Sequence, residues 1–347
     1  MNADIPSFRE TELFTSGVEG YHTYRIPALI VSPKGTLMAF CEGRKYGADD
    51  WGEINIVLKR SFDNGINWQK MQIVAAEDGA ITLGNPSPVV DKDTGKVWLF
   101  YCRDNDQIYV TSSADDGATW STPANITKSV KMPTWTWSGT GPGHGIQLKS
   151  GRLVIPAYHV DGTRIAPPFQ HSYIIYSDDH GSSWEIGGIV GGGTSECEVV
   201  EMPDGALYMT MRSSNRELPY RHGAWSQDGG ITWSAVQDEK QLVDPNCQAS
   251  IVGFTSKDSL AKNLVRFEEI QLFSNPANTE RTTMTVRISY DQCRTWKVSK
   301  VLHCGPSAYS DLAVTSDKTV CCLYERGNIH RRECIRLAQF NLTWLTG

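Results

Sequence analysis

The sequence lacks a long hydrophobic segment. No apolar run approaches the roughly 20 residues that a membrane-spanning helix needs, which predicts a protein without a membrane span. The first residues, Met1 to Pro6, contain neither the basic nor the apolar region of an export signal. As the sequence stands, we therefore expect a cytoplasmic protein, or a periplasmic or secreted one if a signal peptide has been removed.

An excess of positive charge is also missing. The 33 lysines and arginines are outnumbered by 39 aspartates and glutamates, which gives a net charge of −6 and argues against a nucleic-acid partner. The nine cysteines are scattered and odd in number, and the eight histidines form no pair with the spacing of metal ligands. The sequence therefore predicts a reduced, cytosolic type of chain with no catalytic metal and no cofactor.

A repeated motif, Ser-x-Asp-x-Gly-x-x-Trp, is the most informative feature that the sequence does contain. Four strict copies occupy residues 61–68, 113–120, 177–184 and 226–233. A fifth copy, at 289–296, has Cys293 in place of the glycine. Such repeats indicate the architecture, because each one marks a structural unit that packs against the next.

Each copy, here called an Asp turn, is typical of a tight turn between antiparallel strands. Its aspartate can accept hydrogen bonds from nearby backbone N–H groups, and its glycine supplies a positive φ angle. The copies recur at a spacing of roughly 50 to 65 residues, which fits a blade of about four short strands. We therefore predict one all-β domain over residues 1–347, a six-bladed β-propeller with antiparallel four-stranded blades. The Asp turns should be structural and should lie on the rim away from the functional site.

The segment Tyr24-Arg25-Ile26-Pro27, followed by the Asp turns, resembles the exo-α-sialidase (neuraminidase) family of the bacterial and animal cytosolic type. The resemblance extends from about residue 20 to about residue 330. It implies a six-bladed propeller that hydrolyses terminal sialic acid with retention of configuration. The implied partners are sialylated glycans, carried on glycoproteins, gangliosides or oligosaccharides.

The resemblance also assigns roles to individual residues. Arg25, Arg212 and Arg281 match a triad that binds the substrate carboxylate, Glu325 matches the carboxylate that braces the first arginine, and Arg44 matches a further arginine at the rim. The catalytic residues implied are Asp50 as acid/base, Tyr309 as nucleophile and Glu196 as the carboxylate that serves it. The alternatives nearby in the sequence are Asp49, Glu198, Glu201 and Arg287. Asn85, Gln248 and Trp137 resemble residues that line the sugar pocket.

The chemistry of sialic acid suits this set of residue types. Its anomeric carbon carries a carboxylate, for which paired guanidinium donors are a natural receptor. An attacking Asp or Glu would meet that like charge, whereas a tyrosine hydroxyl with a pKa of about 10 is neutral and needs a base. Sialidases with a tyrosine nucleophile are a known exception to the two-carboxylate scheme of glycosidases.

Other functions fit the same residues. A trans-sialidase, or a sialidase that releases anhydro-sialic acid, would use the same catalytic groups. A non-catalytic propeller that binds glycans would need the arginines but would have no use for a Tyr-Glu pair together with Asp50. The sequence therefore favours hydrolysis and leaves the other two as alternatives.

Overall fold

The computed structural model describes residues 5–162, 170–255 and 269–347, and their regular secondary structure is almost entirely β-strand. The first strand is β1 (Phe8–Thr15). The first sheet consists of β2 (Thr23–Val31), β3 (Leu37–Arg44), β4 (Ile54–Ser61) and β5 (Gln72–Ala75). The second sheet consists of β6 (Leu83–Val90), β7 (Val97–Arg103), β8 (Gln107–Ser113) and β9 (Ala124–Asn125).

A short helix, α1 (Thr127–Val130), leads into the second half of the chain. The third sheet consists of β10 (Trp135–Thr140), β11 (Ile146–Gln147), β12 (Leu153–Asp161), β13 (Gln170–Ser177) and β14 (Glu185–Ile189). The fourth consists of β15 (Thr194–Glu201), β16 (Leu207–Ser213), β17 (Tyr220–Ser226) and β18 (Gln237–Val243). The remaining elements are β19 (Ser250–Thr255), β20 (Glu269–Pro276), β21 (Thr282–Ser289), β22 (Val298–Val314), β23 (Val320–Arg326), β24 (Cys334–Phe340) and α2 (Leu342–Thr346).

The last six strands and β1 form one continuous sheet of seven strands, in the order β1-β24-β23-β22-β21-β20-β19. Strand β22 causes this, because its 17 residues pair with β21 near Val298 and with β23 near Val314. The prediction of six separate four-stranded blades is therefore wrong. The described residues form four separate blades of four or five strands, and a seven-stranded sheet completes the propeller-like fold.

The hydrophobic core is divided into layers between neighbouring sheets. Phe14 of β1, Leu29 of β2 and Leu337 of β24 share one layer, so both ends of the chain pack against the first sheet. Strand β1 also pairs with β24, with Phe8 opposite Phe340, which holds the start of the chain against its end. Among the residues described, no helix has the length and apolar character needed to cross a membrane.

The Asp turns have one hydrogen-bonding pattern. In the fourth, Ser226 Oγ accepts from Gly230 N at 2.9 Å and donates to Asp228 Oδ1 at 2.8 Å, and the same carboxylate accepts from Thr232 N at 2.9 Å. In the fifth, Cys293 takes the place of glycine at φ 61° and donates its N–H to the serine of that turn at 2.9 Å. The pattern therefore depends on the backbone at this position and tolerates a side chain there.

The Asp turns lie at the opposite end of the strands from the candidate site. In the first sheet Leu37 pairs with Ser61, which begins the first Asp turn, whereas Arg44 at the other end of β3 pairs with Ile54. Arg25, at the start of β2, pairs with Glu42 and therefore shares the Arg44 end. This arrangement agrees with the predicted structural role of the Asp turns.

Asp228→Asn should reduce the increase in the free energy of unfolding that occurs as pH rises from 2 to 4. Burial alone would raise the pKa of Asp228, but hydrogen bonds from Thr232 and Ser226 outweigh it and lower the pKa to about 2. Because this folded-state pKa lies below the unfolded value near 3.9, the contribution is complete above pH 4 and is lost as pH falls toward 2. The free energy of unfolding of the variant, measured by denaturation, should therefore change less steeply with pH in this range, because its unfolding takes up fewer protons, by up to about one. Asp78→Asn, at an exposed aspartate outside the turns, should keep the parental slope. Equal slopes for parent and Asp228→Asn would contradict the prediction.

Candidate active site

Tyr309 and Glu196 form a buried pair at the centre of the fold. Tyr309 lies on β22 and is 6% exposed, and Glu196 lies on β15 and is 7% exposed. The Tyr309 hydroxyl donates a short hydrogen bond to Glu196 Oε1. It also accepts from Arg212 Nη1 at 3.2 Å, and that guanidinium donates to Glu196 Oε2 at 2.7 Å. The structure therefore brings a phenol, a carboxylate and a guanidinium into one cluster.

The environment of Tyr309 keeps its hydroxyl protonated. Burial raises the pKa of the phenol and the Glu196 charge raises it further, and Arg212, Arg281 and Arg25 only partly offset these two effects. The free phenol is therefore neutral at any physiological pH. Reaction as an oxygen nucleophile requires that its proton move to a base, and Glu196 is already its hydrogen-bond acceptor.

Arg25 is held by a two-pronged ion pair with Glu325. The guanidinium Nε and Nη2 donate to the two carboxylate oxygens at 3.0 and 3.2 Å, and both side chains are buried. Glu325 also accepts from the backbone N–H of Ile26 at 2.9 Å and of Tyr309 at 3.4 Å. Because one carboxylate holds Arg25 and the backbone of Tyr309, it fixes the arginine relative to the phenol.

Three arginines surround the Tyr309 ring. The guanidinium carbon of Arg25 lies 4.9 Å from the ring centroid, and that of Arg281 lies 5.5 Å from it. Arg212 contacts the hydroxyl, as described above. Arg281 donates to the backbone oxygen of Asn246 at 2.9 Å and has no ion pair within the described ranges. The predicted triad is therefore assembled around the predicted nucleophile, with cationic capacity left for an anion.

Asp50 lies at the edge of this cluster, in the loop between β3 and β4. Its Oδ1 is 2.8 Å from Arg44 Nη1 and 3.4 Å from Arg25 Nη1, and its side chain is 64% exposed. Burial by itself raises the pKa of this carboxyl, but the charges of Arg44 and Arg25 prevail and lower it. Arg44 is fixed in turn by Glu42, at 2.6 Å. Asp50 is thus an exposed carboxylate that shares Arg25 with the centre of the site.

Irregular strand pairing places several of these residues. Pairing shifts between Arg25 and Ala28 on β2, across Glu196 on β15 and across Tyr309 on β22. Ile26, next to Arg25, adopts a φ of 59°, and Asn85 lies in a similar irregularity of β6 with a φ of 55°. A β-bulge turns the local backbone and so redirects a side chain. These bulges aim side chains that a regular strand would direct elsewhere.

The three predicted pocket residues differ in their surroundings. Asn85 is 8% exposed and donates to the hydroxyl of Tyr158 at 3.3 Å. Trp137 meets Trp51 edge to face, with ring centroids 5.7 Å apart, next to Asp50. Gln248 is 1% exposed and bonds to backbone groups, including both the N–H and the oxygen of Ser310 at 3.0 and 2.9 Å. It therefore supports the strand that carries Tyr309.

The alternatives in the sequence lie elsewhere. Glu198 is fully buried and accepts from Ile251 N at 2.6 Å, and Glu201 accepts from Lys149 N at 2.9 Å at the far end of β15. Arg287 donates to the side chain of Asn275 at 2.8 Å. Asp49 is exposed beside Trp51 in a separate cavity. Geometry thus favours Glu196, Asp50 and Arg281 over their sequence neighbours.

Sequence reasoning missed a buried triad of His144, Glu198 and Asp311. His144 Nδ1 lies 2.8 Å from Asp311 Oδ1 and 3.6 Å from Glu198 Oε1. Burial lowers the pKa of His144, but the two carboxylates prevail and raise it to about 9. Asp311 also accepts from Leu29 N at 2.6 Å. The triad therefore links the first, the fourth and the seven-stranded sheets. Its carboxylates each lie two residues after a site residue, Asp311 after Tyr309 and Glu198 after Glu196. Only the spacing Glu-x-Glu on β15 hinted at it in the sequence.

Two groups of side chains in the described ranges have the spacing of cation ligands, with donor atoms within 4.8 Å of one another: Asp91, Asp93 and His180, and the buried triad. Both sets are already joined by hydrogen bonds between their own members. Neither includes Tyr309, Glu196 or Asp50. The absence of a catalytic metal therefore stays a prediction.

Arg331 and Arg332, between β23 and β24, were also missed. The Nε atom of each is buried and has no hydrogen-bond partner within the described ranges. Burial lowers the pKa of both, and the Arg25 charge lowers both further. A pair of adjacent arginines in a loop has no strand pattern that would have marked it.

Comparison with known proteins identifies the family of the chain. A BNR repeat-like domain matches residues 35–330. The sialidase of Micromonospora viridifaciens is 36% identical, over 99% of this chain and 55% of the relative. Sialidase-3 of Rattus norvegicus is 32% identical, over 96% of this chain and 94% of the relative. The solved structure of a Hadza microbial sialidase has a TM-score of 0.87 at 30% identity, covering 97% of this chain and 69% of that one.

The relatives differ in length. The chain spans 55% of the Micromonospora viridifaciens protein and 62% of a Bacteroides fragilis sialidase that is 32% identical. The sialidase of Trypanosoma rangeli, at 19% identity and a TM-score of 0.78, shares the fold. From the domain match and from the full-length similarity to Sialidase-3, the chain belongs to the sialidase family.

Proposed function

We propose that the protein is an exo-α-sialidase that hydrolyses terminal sialic acid with retention, through a covalent intermediate on Tyr309. The observation that carries the proposal is the hydrogen bond from Tyr309 to Glu196 inside the arginine triad. A sugar-binding module has no need of a buried phenol paired with a base. The proposed substrates are sialylated glycoproteins, gangliosides or oligosaccharides.

In the first step the substrate carboxylate binds Arg25, Arg212 and Arg281. The Tyr309 oxygen attacks the anomeric carbon as its proton passes to Glu196. The bond to the leaving oxygen breaks, and Asp50 donates the proton which that oxygen needs. A carboxylate nucleophile would be repelled by the substrate at this position, whereas the neutral phenol is not.

In the second step the bond between Tyr309 and the sugar is broken by water. Asp50, now ionised, accepts a proton from the water as it attacks the anomeric carbon. Glu196 returns its proton to the Tyr309 oxygen. Two displacements at one carbon give net retention, and the enzyme ends in its starting protonation state.

The proposal is tested with a fluorogenic aryl sialoside between pH 4 and pH 8. We expect turnover, with α-configured sialic acid as the first product in proton NMR spectra. No turnover of any sialoside over this range would contradict the proposal and would favour a glycan-binding propeller.

Product analysis separates the two catalytic alternatives. With lactose present, a trans-sialidase would yield sialyllactose, whereas an anhydro-forming enzyme would yield a product one water lighter than sialic acid. The proposed hydrolase should release free sialic acid both with and without lactose.

A further inference from the structure

A second cavity, of about 390 Å³, adjoins the arginine triad and shares Arg212 and Arg281 with it. Its lining adds Arg216, from the loop after β16, and Arg331. Among the described residues, four arginines line this space together with one carboxylate, that of Asp244. The cavity therefore has an excess of positive charge next to the proposed catalytic centre.

The Asp244 carboxylate already has hydrogen-bond and ion-pair partners. Asp244 is 1% exposed and accepts from Cys247 N at 2.7 Å and from Asn275 Nδ2 at 3.2 Å. Asp244 Oδ2 also lies 3.5 Å from Arg221 Nη1. The Arg221 side chain is fully buried and does not line the cavity. Asp244 therefore does not neutralise the arginines that face the cavity.

Arg331 is the clearest sign that the cavity lacks a partner. Its Nε atom is buried without a hydrogen-bond acceptor, and no carboxylate of the described residues forms an ion pair with it. Burial disfavours its charge, and Arg281 and Arg25 repel it. An anion in the cavity would offset this repulsion between the guanidinium groups.

Asn246 supplies the cavity with a neutral polar group. Its backbone oxygen accepts from Arg281 at 2.9 Å, and its Nδ2 donates to Leu218 O at 3.2 Å. Its Oδ1 is buried and has no hydrogen-bond partner within the described ranges, in a residue that is 9% exposed. Asn246 thus holds Arg281 at the cavity and adds no negative charge to its lining.

The position of the cavity follows from the chemistry of the substrate. In a sialoside the anomeric carbon bears both the carboxylate and the leaving oxygen, so the next sugar begins close to the carboxylate. A cavity that shares two arginines with the carboxylate receptor lies within reach of that sugar. We infer that it binds a second anionic group, a carboxylate or a sulfate ester, on the sugar unit next to the terminal sialic acid. This inference rests on the proposed function and narrows its substrate class to glycans with two neighbouring anionic groups.

A separate cavity beside Asp50 does not have this character. It is lined by Arg44, Lys45 and Trp51 among others, but Lys45 pairs with Glu53 at 2.7 Å and Arg44 pairs with Glu42. Because each of these cations is paired with a carboxylate, this cavity has no excess positive charge to attract an anion. Of these two cavities, the one lined by Arg331 therefore has the excess of positive charge.

The test compares kcat/KM for three substrates: α2,3-sialyllactose, α2,8-disialyllactose and α2,3-sialyllactose with a sulfate ester on galactose. We expect at least one of the two anionic substrates to be preferred over plain sialyllactose, through a lower KM, and the preference to weaken as salt is added. Arg331→Gln and Arg216→Gln should each reduce that preference by about tenfold, the effect of losing one charge-assisted hydrogen bond. Arg294→Gln, at an exposed arginine of the fifth Asp turn, should leave it unchanged.

Each outcome has one meaning. Preference for the disialyl substrate alone assigns a carboxylate to the cavity, and preference for the sulfated substrate alone assigns a sulfate. Equal efficiency on all three substrates, or a preference that neither variant reduces, would overturn the inference while leaving the proposed function intact. If the parent turns over no fluorogenic sialoside, the proposed function fails. Calorimetry that compares the binding of disialyllactose and sialyllactose would then test separately whether the cavity binds a second anionic group.

Discussion

Tyr309→Phe should lower kcat on an aryl sialoside by roughly 10³-fold or more, because it removes the oxygen that attacks the anomeric carbon in the proposed mechanism. Affinity for sialic acid should remain close to parental. The ring still packs under Arg25 and Arg281, and Arg212 still pairs with Glu196 at 2.7 Å. Turnover and calorimetric binding of an unsaturated sialic acid analogue measure the two effects separately.

The matched control is Tyr101→Phe, which removes the hydroxyl of a tyrosine that is 3% exposed on β7. It should retain activity. Glu196→Gln gives a further check, because a base that acts only through Tyr309 becomes irrelevant once the phenol is gone. The double variant with Tyr309→Phe should therefore lose little more than Tyr309→Phe alone. Near-parental turnover by Tyr309→Phe would exclude the covalent mechanism.

Much of the fold was predictable because its signals are local. Each Asp turn needs only eight residues, and its Ser, Asp and Trp positions are visible in the sequence. The number of blades was not predictable in the same way. It depended on β22 continuing for 17 residues from one pairing partner to the next, and strand pairing is a long-range property that no single segment encodes.

The candidate site shows the same division. Arg25, Tyr309 and Glu325 lie in recognisable motifs, and the structure brings them together, while their roles stay predictions. Gln248 looked like a pocket residue, yet its amide holds the backbone of Ser310. Its role depends on which groups meet it in space. The bulges at the site residues were equally hidden, since they arise from pairing between strands distant in sequence.

Arg331 and Arg332 mark the limit of reading single positions. Alone, either would be read as a solvated loop residue, since arginine is mostly exposed in proteins. Only the fold brings Arg331 near Arg281 and both arginines near Arg25, where burial and like charge lower their pKa values. An excess of unpaired cations is a property of an assembled site and has no counterpart in the sequence.

Asp50→Asn should affect substrates according to their leaving groups. On sialyllactose, whose leaving oxygen needs a proton, we expect kcat/KM to fall by roughly 10²- to 10⁴-fold. On an aryl sialoside, whose phenolate leaves without help, kcat/KM should fall much less. The amide can still accept the hydrogen bond from Arg44 that the carboxylate accepts at 2.8 Å, so the loop should keep its position.

The pH dependence of the parent gives a second signature of Asp50. In the free enzyme, Arg44 and Arg25 outweigh burial and lower the pKa of this carboxyl. A substrate carboxylate bound to Arg25 offsets part of that positive charge, so the pKa should rise on binding. The kcat profile, which reports the complex, should therefore place the Asp50 limb at higher pH than the kcat/KM profile, which reports the free enzyme.

Asp49→Asn is the matched control for Asp50→Asn, since it makes the same change one residue earlier, at an exposed carboxylate without an ion pair among the described residues. It should leave both substrates and both pH profiles close to parental. If Asp49→Asn were the variant that separates sialyllactose from the aryl sialoside, the acid/base role would pass to Asp49. If Asp50→Asn reduced kcat/KM equally for both substrates, proton donation to the leaving group could not be its role. Its contacts with Arg25 and Arg44 would then matter only for holding the two arginines.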